Sequence, residues 1–151
     1  MNLLLDTHAL LWLMLKDRRL PRETALTIVD RANTIFVSAI SGFEIATKVS
    51  LGKLPGAEWI ARDFVTLCAD FDFIELPVNN AHAVMAGGFR LIHKDPFDRV
   101  LAAQAIVEGF GLVTAKENRK LLEAKMTPEQ IEKARQLSRQ GQPPTPVGKR
   151  P

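Results

Sequence analysis

Along this chain the spacing of apolar residues switches repeatedly between two periods. Residues 2–5 (Asn-Leu-Leu-Leu) form a short apolar run closed by Asp6, and Ala-Leu-Leu-Trp-Leu-Met-Leu follows with helical potential. Residues 22–31, after Pro21, place Ala25, Leu26, Ile28 and Val29 at the spacing of an amphipathic helix. Residues 34–38 (Thr-Ile-Phe-Val-Ser) are β-branched and aromatic and predict a strand. Helices are predicted at 41–49, ending near Gly52, and at 57–69; a strand at 73–76 is cut off by Pro77. A short helix over 80–86 runs into Gly87-Gly88, and a longer one over 96–108 is closed by Gly109. Residues 111–114 read as a fourth strand, and Thr-Pro-Glu-Gln opens a last helix at 127–139. No internal repeat is visible.

Strands alternating with helices imply crossover units, and so a three-layer α/β/α sandwich with a mainly parallel central sheet. In that topology the helix N-termini gather along the C-terminal edge of the sheet, where open α/β sheets bind their ligands.

Composition narrows the class. The 151 residues, 46% hydrophobic and 25% charged, suit one globular domain able to bury a core without staples. The single Cys68 excludes an internal disulfide framework and a multi-cysteine zinc site, and is expected to be a small buried residue. The apolar opening is interrupted by Asp6 and His8, lacks a secretory signal pattern, and is too short to span a bilayer, so a cytoplasmic protein with no membrane partner is expected. The net charge of +3 is unevenly spread. Residues 1–115 carry 11 basic and 13 acidic side chains, whereas 116–151 carry 9 and 4. The surplus therefore belongs to the C-terminal stretch, whose Gly-Gln-Pro-Pro-Thr-Pro run reads as a solvated, disordered tail.

Candidate chemistry resides in the acids. Each has a structural explanation. Asp6 suits the cap of the helix from Thr7; Asp95, Pro96 and Asp98 suit the cap, first and third positions of the next-to-last helix. Ser41-Gly-Phe-Glu44 matches a capping box, in which Glu44 reaches back to the cap amide. Taken together they point further. The topology puts Asp6, Glu44 and the Asp95/Asp98 pair on one sheet edge, and capping alone does not require three caps to converge. Carboxylates within ~4 Å of one another cost about 4 kcal/mol per pair at an intermediate dielectric, more than helix dipoles of 0.3–1 kcal/mol offset. A divalent cation offsets far more. An all-oxygen cluster suits Mg²⁺ or Mn²⁺, which activate water and neutralise charge on a phosphodiester.

Four stretches, LLLDTHALLW, VSAISGFEIATKVSLGKL, HKDPFDRVLAAQA and GLVTA, occur in order within residues 2–115. They resemble the successive blocks of PIN-domain ribonucleases of the VapC toxin type. The resemblance implies a Mg²⁺-dependent endoribonuclease (or Mn²⁺-dependent) whose catalytic cluster is Asp6, Glu44 and Asp98, with Asp95 beside them. It also implies an RNA substrate, a cognate antitoxin that plugs the site, and a homodimer. The expected organisation is a nuclease domain over 1–125, an added helix over 126–139 and the basic, proline-rich tail over 140–151.

Two other functions compete. A haloacid-dehalogenase-like phosphatase also places an aspartate after its first strand, but requires Asp-x-Asp where this chain has Asp6-Thr7-His8. A non-enzymatic module that keeps the fold and its antitoxin or RNA binding, but not turnover, is the alternative raised by position 116. His8 and His93 are as readily structural as functional. Arg99 stands four residues after Asp95, the spacing of a helical ion pair worth ~0.2–0.5 kcal/mol. Trp12, Phe43, Trp59 and Phe97 are expected in the core or an interface.

Position 116 generates the first prediction. The resembled family has Thr-x-Asp in its last block; here Thr114-Ala115-Lys116 takes its place, followed by Glu117. A lysine ammonium near the cluster balances charge but cannot ligate a metal. At most one tightly held Mg²⁺, ligated mainly by Asp6 and Asp98, is therefore expected. Lys116→Asp tightens Mg²⁺ or Mn²⁺ binding in calorimetric titration and raises cleavage; equal affinities and rates place Lys116 outside the site.

Overall fold

Leu3, Leu4 and Leu5 are buried to within 2% of full enclosure, which marks a strand covered on both faces. This is β1 (Asn2–Leu5), an inner strand of a parallel sheet. A computed structural model of the chain describes residues 1–89 and 95–115. Within them follow α1 (Thr7–Met14), α2 (Arg22–Val29), β2 (Thr34–Ser38), α3 (Ala39–Ser50), α4 (Glu58–Asp70), β3 (Ile74–Leu76), α5 (Asn80–Gly88), α6 (Pro96–Glu108) and β4 (Gly111–Val113). The strand order is β3-β2-β1-β4, and every pairing is parallel.

The register sorts side chains into two faces. Leu3 pairs with Ile35, and Leu5 with both Val37 and Val113. These pack with Leu10 of α1, Ile28 of α2, Ile45 of α3 and Ile60 and Cys68 of α4 in one core. Leu4 pairs with Phe36 and Leu112, and on that face meets Leu76 of β3 and Leu101 and Ala105 of α6. Helices on both sides of one sheet make the expected three layers.

Element boundaries depart from the sequence reading in ways that have local causes. The helix expected from Ser41 begins at Ala39, because Ser38, the last residue of β2, is itself the cap and accepts from the Ile40 amide at 3.0 Å. No loop separates strand from helix, so Ser41 and Glu44 lie inside α3 and the expected capping box does not form. The box occurs elsewhere, at the start of α5: Asn79 Oδ1 accepts from the His82 amide at 3.0 Å, and His82 Nδ1 accepts from the Asn79 amide at 3.1 Å. That leaves His82 Nε2 as the donor to Glu108 Oε1, 2.9 Å away, tying α5 to the end of α6. α5 also continues through the two glycines expected to end it, and α2 stops at Val29, short of residue 31. α6 matches its reading at both ends, from Asp95 and Pro96 to Gly109, whose φ of 71° is left-handed and favours glycine.

Cys68 is buried, and burial pushes its thiol up to about 11, an unreactive state. Phe43 and Trp59, expected in the core or an interface, are 60% and 38% exposed, while Trp12 and Phe97 are half-buried. Among the described residues no helix is long and apolar enough to cross a membrane. His93, Lys116 and Glu117, the helix expected at 127–139 and the tail expected at 140–151 lie outside the described residues.

The two-faced burial of β1 has a measurable consequence. Leu4→Ala destabilises the fold by about 2–5 kcal/mol, the scale for a large core side chain cut to alanine. Leu26→Ala, at a position 56% exposed, changes stability by less than about 0.5 kcal/mol. Chemical denaturation of both variants measures the contrast.

Candidate active site

Asp6 follows β1 directly, and its amide donates to the Val113 carbonyl of β4 at 2.9 Å, extending the sheet by one bond. Its extended backbone turns the chain into α1, whose Ala9 amide donates to Asp6 Oδ1 at 2.5 Å. Asp6 Oδ2 accepts from the Ala115 amide, beyond β4, at 3.3 Å. One carboxylate thus joins a helix start to the ends of two strands. Burial pushes its pKa above the ordinary 3.8; the two amide bonds and the His8 charge oppose the rise, and the Asp98 charge adds to it.

Asp98 reaches this edge from α6. Asp95 caps that helix, accepting from the Phe97 amide at 2.9 Å, and Pro96 occupies its first turn. Asp98 is therefore in the first turn, where an acid is favoured by the helix dipole and where its charge acts on Asp6. Asp95 and Arg99 make a backbone bond of 3.3 Å, but the ion pair expected between their side chains is absent among the described residues. The Arg99 Nε is instead buried without a hydrogen-bond partner there.

Glu44 differs from its expected setting. It lies more than a turn inside α3 and is 2% exposed, with its carboxylate paired to the Lys48 ammonium one turn further on. That i,i+4 spacing is legible in the sequence, yet Lys48 was not among the residues expected at the site. α3 is fixed to the acid edge twice. The Thr7 hydroxyl, next to Asp6, donates to the Ser41 hydroxyl at 3.1 Å. The Phe43 and Phe97 rings, neighbours of Glu44 and Asp98, lie 6.0 Å apart.

Asp6 and Asp98 are thus within electrostatic reach of each other, Asp95 orients the helix that carries Asp98, and Glu44 stands in an adjoining ion pair. Among the described residues no three His, Cys, Asp or Glu side chains gather closely enough to hold a metal ion by themselves. The donor set still fits Mg²⁺. That ion is commonly held by one or two carboxylates, with waters and substrate phosphates completing the octahedron. The partly desolvated, mutually repelling Asp6 and Asp98 supply such a pair.

Because the folded pKa of Asp6 exceeds 3.8, its ionisation opposes folding. This group's contribution is most favourable below the unfolded value and is lost as pH rises through the folded one. In metal-free protein, carbon-13 NMR finds Asp6 titrating above 3.8, and Asp98→Asn moves that titration down. An Asp6 titration unmoved by Asp98→Asn removes the coupling between them.

No curated protein gives a match to this chain. The model of the PIN domain family matches residues 3–125, which includes both strand ends and every acid described above. PIN domains are generally nucleases, and generally use divalent metals. The chain belongs to the PIN domain family.

Proposed function

We propose that the protein is a divalent-metal-dependent endoribonuclease, the toxin of a toxin–antitoxin pair, with Asp6, Glu44, Asp95 and Asp98 as its acidic cluster. The observation that supports it best is the placement, in a PIN-family chain, of Asp6 at the end of β1 with both oxygens held by amides and of Asp98 in the first turn of α6, close enough for its charge to act on Asp6. Asp6 and Asp98 would hold Mg²⁺ or Mn²⁺. When bound, the ion supplies an activated water and neutralises charge on the phosphodiester.

The chain's own groups do the rest. The Ala9 and Ala115 amides fix both oxygens of Asp6, so the carboxylate is oriented before anything binds. Asp95 holds the first turn of α6 in place, which sets the position of Asp98. Lys48 neutralises Glu44, lowering the like-charge cost of bringing a polyanion to an acidic edge. RNA as the substrate, a protein antitoxin and a homodimer follow from the sequence resemblance.

Cleavage of end-labelled RNA tests the proposal. Wild-type protein cleaves with Mg²⁺ or Mn²⁺ and stops in EDTA. Asp6→Asn and Asp98→Asn each lower the rate by about 100-fold or more, on the scale of losing a major electrostatic stabiliser of the transition state. Both relieve any growth inhibition on expression. Asn retains one acceptor oxygen at position 6, so the cap and fold persist. Unchanged cleavage by Asp6→Asn refutes the assignment.

A further inference from the structure

Beside the acid edge, between α1 and α3, lies a pocket of about 160 Å³. Thr7, His8, Leu11 and Trp12 line it from α1, Glu44 and Lys48 from α3, Arg19 from the segment after α1 and Leu54 from the segment after α3. Thr7 is the residue next to Asp6, so the pocket adjoins the cluster. We propose that it is a subsite for one nucleobase of the RNA strand, stacked against the Trp12–Arg19 pair, with Lys48 facing the adjoining phosphate. The inference rests on the nuclease reading above and adds a substrate-positioning site to it.

Size, shape and charge agree. A cavity of ~150 Å³ accommodates one benzene-sized ring, so this pocket, open on one side, is on the scale of a single aromatic ring and not of two. The Arg19 guanidinium sits 4.9 Å from the centre of the Trp12 ring, and the His8 ring meets Trp12 edge-on with centroids 6.1 Å apart. Indole and guanidinium planes are both surfaces on which unpaired RNA bases stack. Each cation is held by an acid that lies deeper. Lys48 is 31% exposed over a Glu44 that is 2% exposed, and Arg19 is 67% exposed over an Asp17 that is 22% exposed. The pocket therefore presents positive charge outward and hides its negative charge, the polarity a phosphate backbone requires. An apolar side chain of a protein partner would fill the volume but gain nothing from that polarity.

Of the two tryptophans, Trp59 lies on α4 outside the pocket, so Trp59→Phe leaves Trp12 as the sole indole emitter. Titrating a single-stranded oligoribonucleotide into this variant without divalent ions quenches Trp12 emission, and the matching duplex, whose bases are stacked and paired, does so far less. Trp12→Ala weakens strand binding between about 5- and 150-fold, the range for one lost base–aromatic stack, and raises KM more than it lowers kcat. Trp12→Phe recovers most of the loss. RNA that binds while Trp12 emission stays unmoved overturns the subsite and leaves the pocket to a protein side chain, and so does unimpaired binding by Trp12→Ala. Either result leaves the nuclease reading standing if wild-type protein cleaves RNA. Wild-type protein that neither binds nor cleaves RNA overturns both. The emission experiment retains Trp12, so it decides the matter even if Trp12→Ala fails to fold.

Discussion

Asp6 is a carboxylate drawn largely out of water at the end of an otherwise apolar central strand, and its neighbours are arranged to make that tolerable. Two amides point at its two oxygens, one from the first turn of α1 and one from beyond β4. Neither amide is at hand unless the chain turns sharply into α1 and β4 lies against β1. The same geometry brings the first turn of α6 close enough for Asp98 to act on Asp6. Burial and ionisation thus compete at one residue.

Glu44 and Asp6 show two ways of keeping a buried acid. Glu44 has an internal counter-ion, Lys48, four residues along its own helix. Asp6 has amide dipoles and, nearby, a second negative charge. At Glu44 an ammonium is already in place, whereas the charge of Asp98 adds to the cost of ionising Asp6. Asp6 and Glu44 are therefore electrostatically unequal, although the sequence presents them alike.

Much of this was readable in advance, for identifiable reasons. α6 has a cap, a proline at its first position and a left-handed glycine at its end, three local signals with one meaning. The sheet was legible because its strands are short apolar or β-branched runs bounded by turn residues. α3 was misread at its start because Ser41 and Glu44 imitate a capping box, while the operative serine, Ser38, was hidden in a strand that passes straight into the helix. The capping box that does form uses a histidine at its third position, outside the usual Glu or Gln pattern. The pocket beside Trp12 was not legible at all. Its walls come from α1, α3 and the segments after them, and only tertiary packing of helices around β1 brings Arg19 and Lys48 together.

The strand order carries a consequence for how this protein comes into being. β1 is completed on one side only by β4, so Asp6 waits for an amide 109 residues downstream. A chain growing from the ribosome presents β1 and β2 well before that partner emerges. Until then the carboxylate of Asp6 has only the α1 amide, and α6 with Asp98 has yet to dock. A nascent chain that stops short of β4 therefore lacks one of the two amides that hold the Asp6 carboxylate. Long-range parallel pairing is slow to form, and here it sets an interval between synthesis of β1 and completion of the hydrogen bonds that hold Asp6.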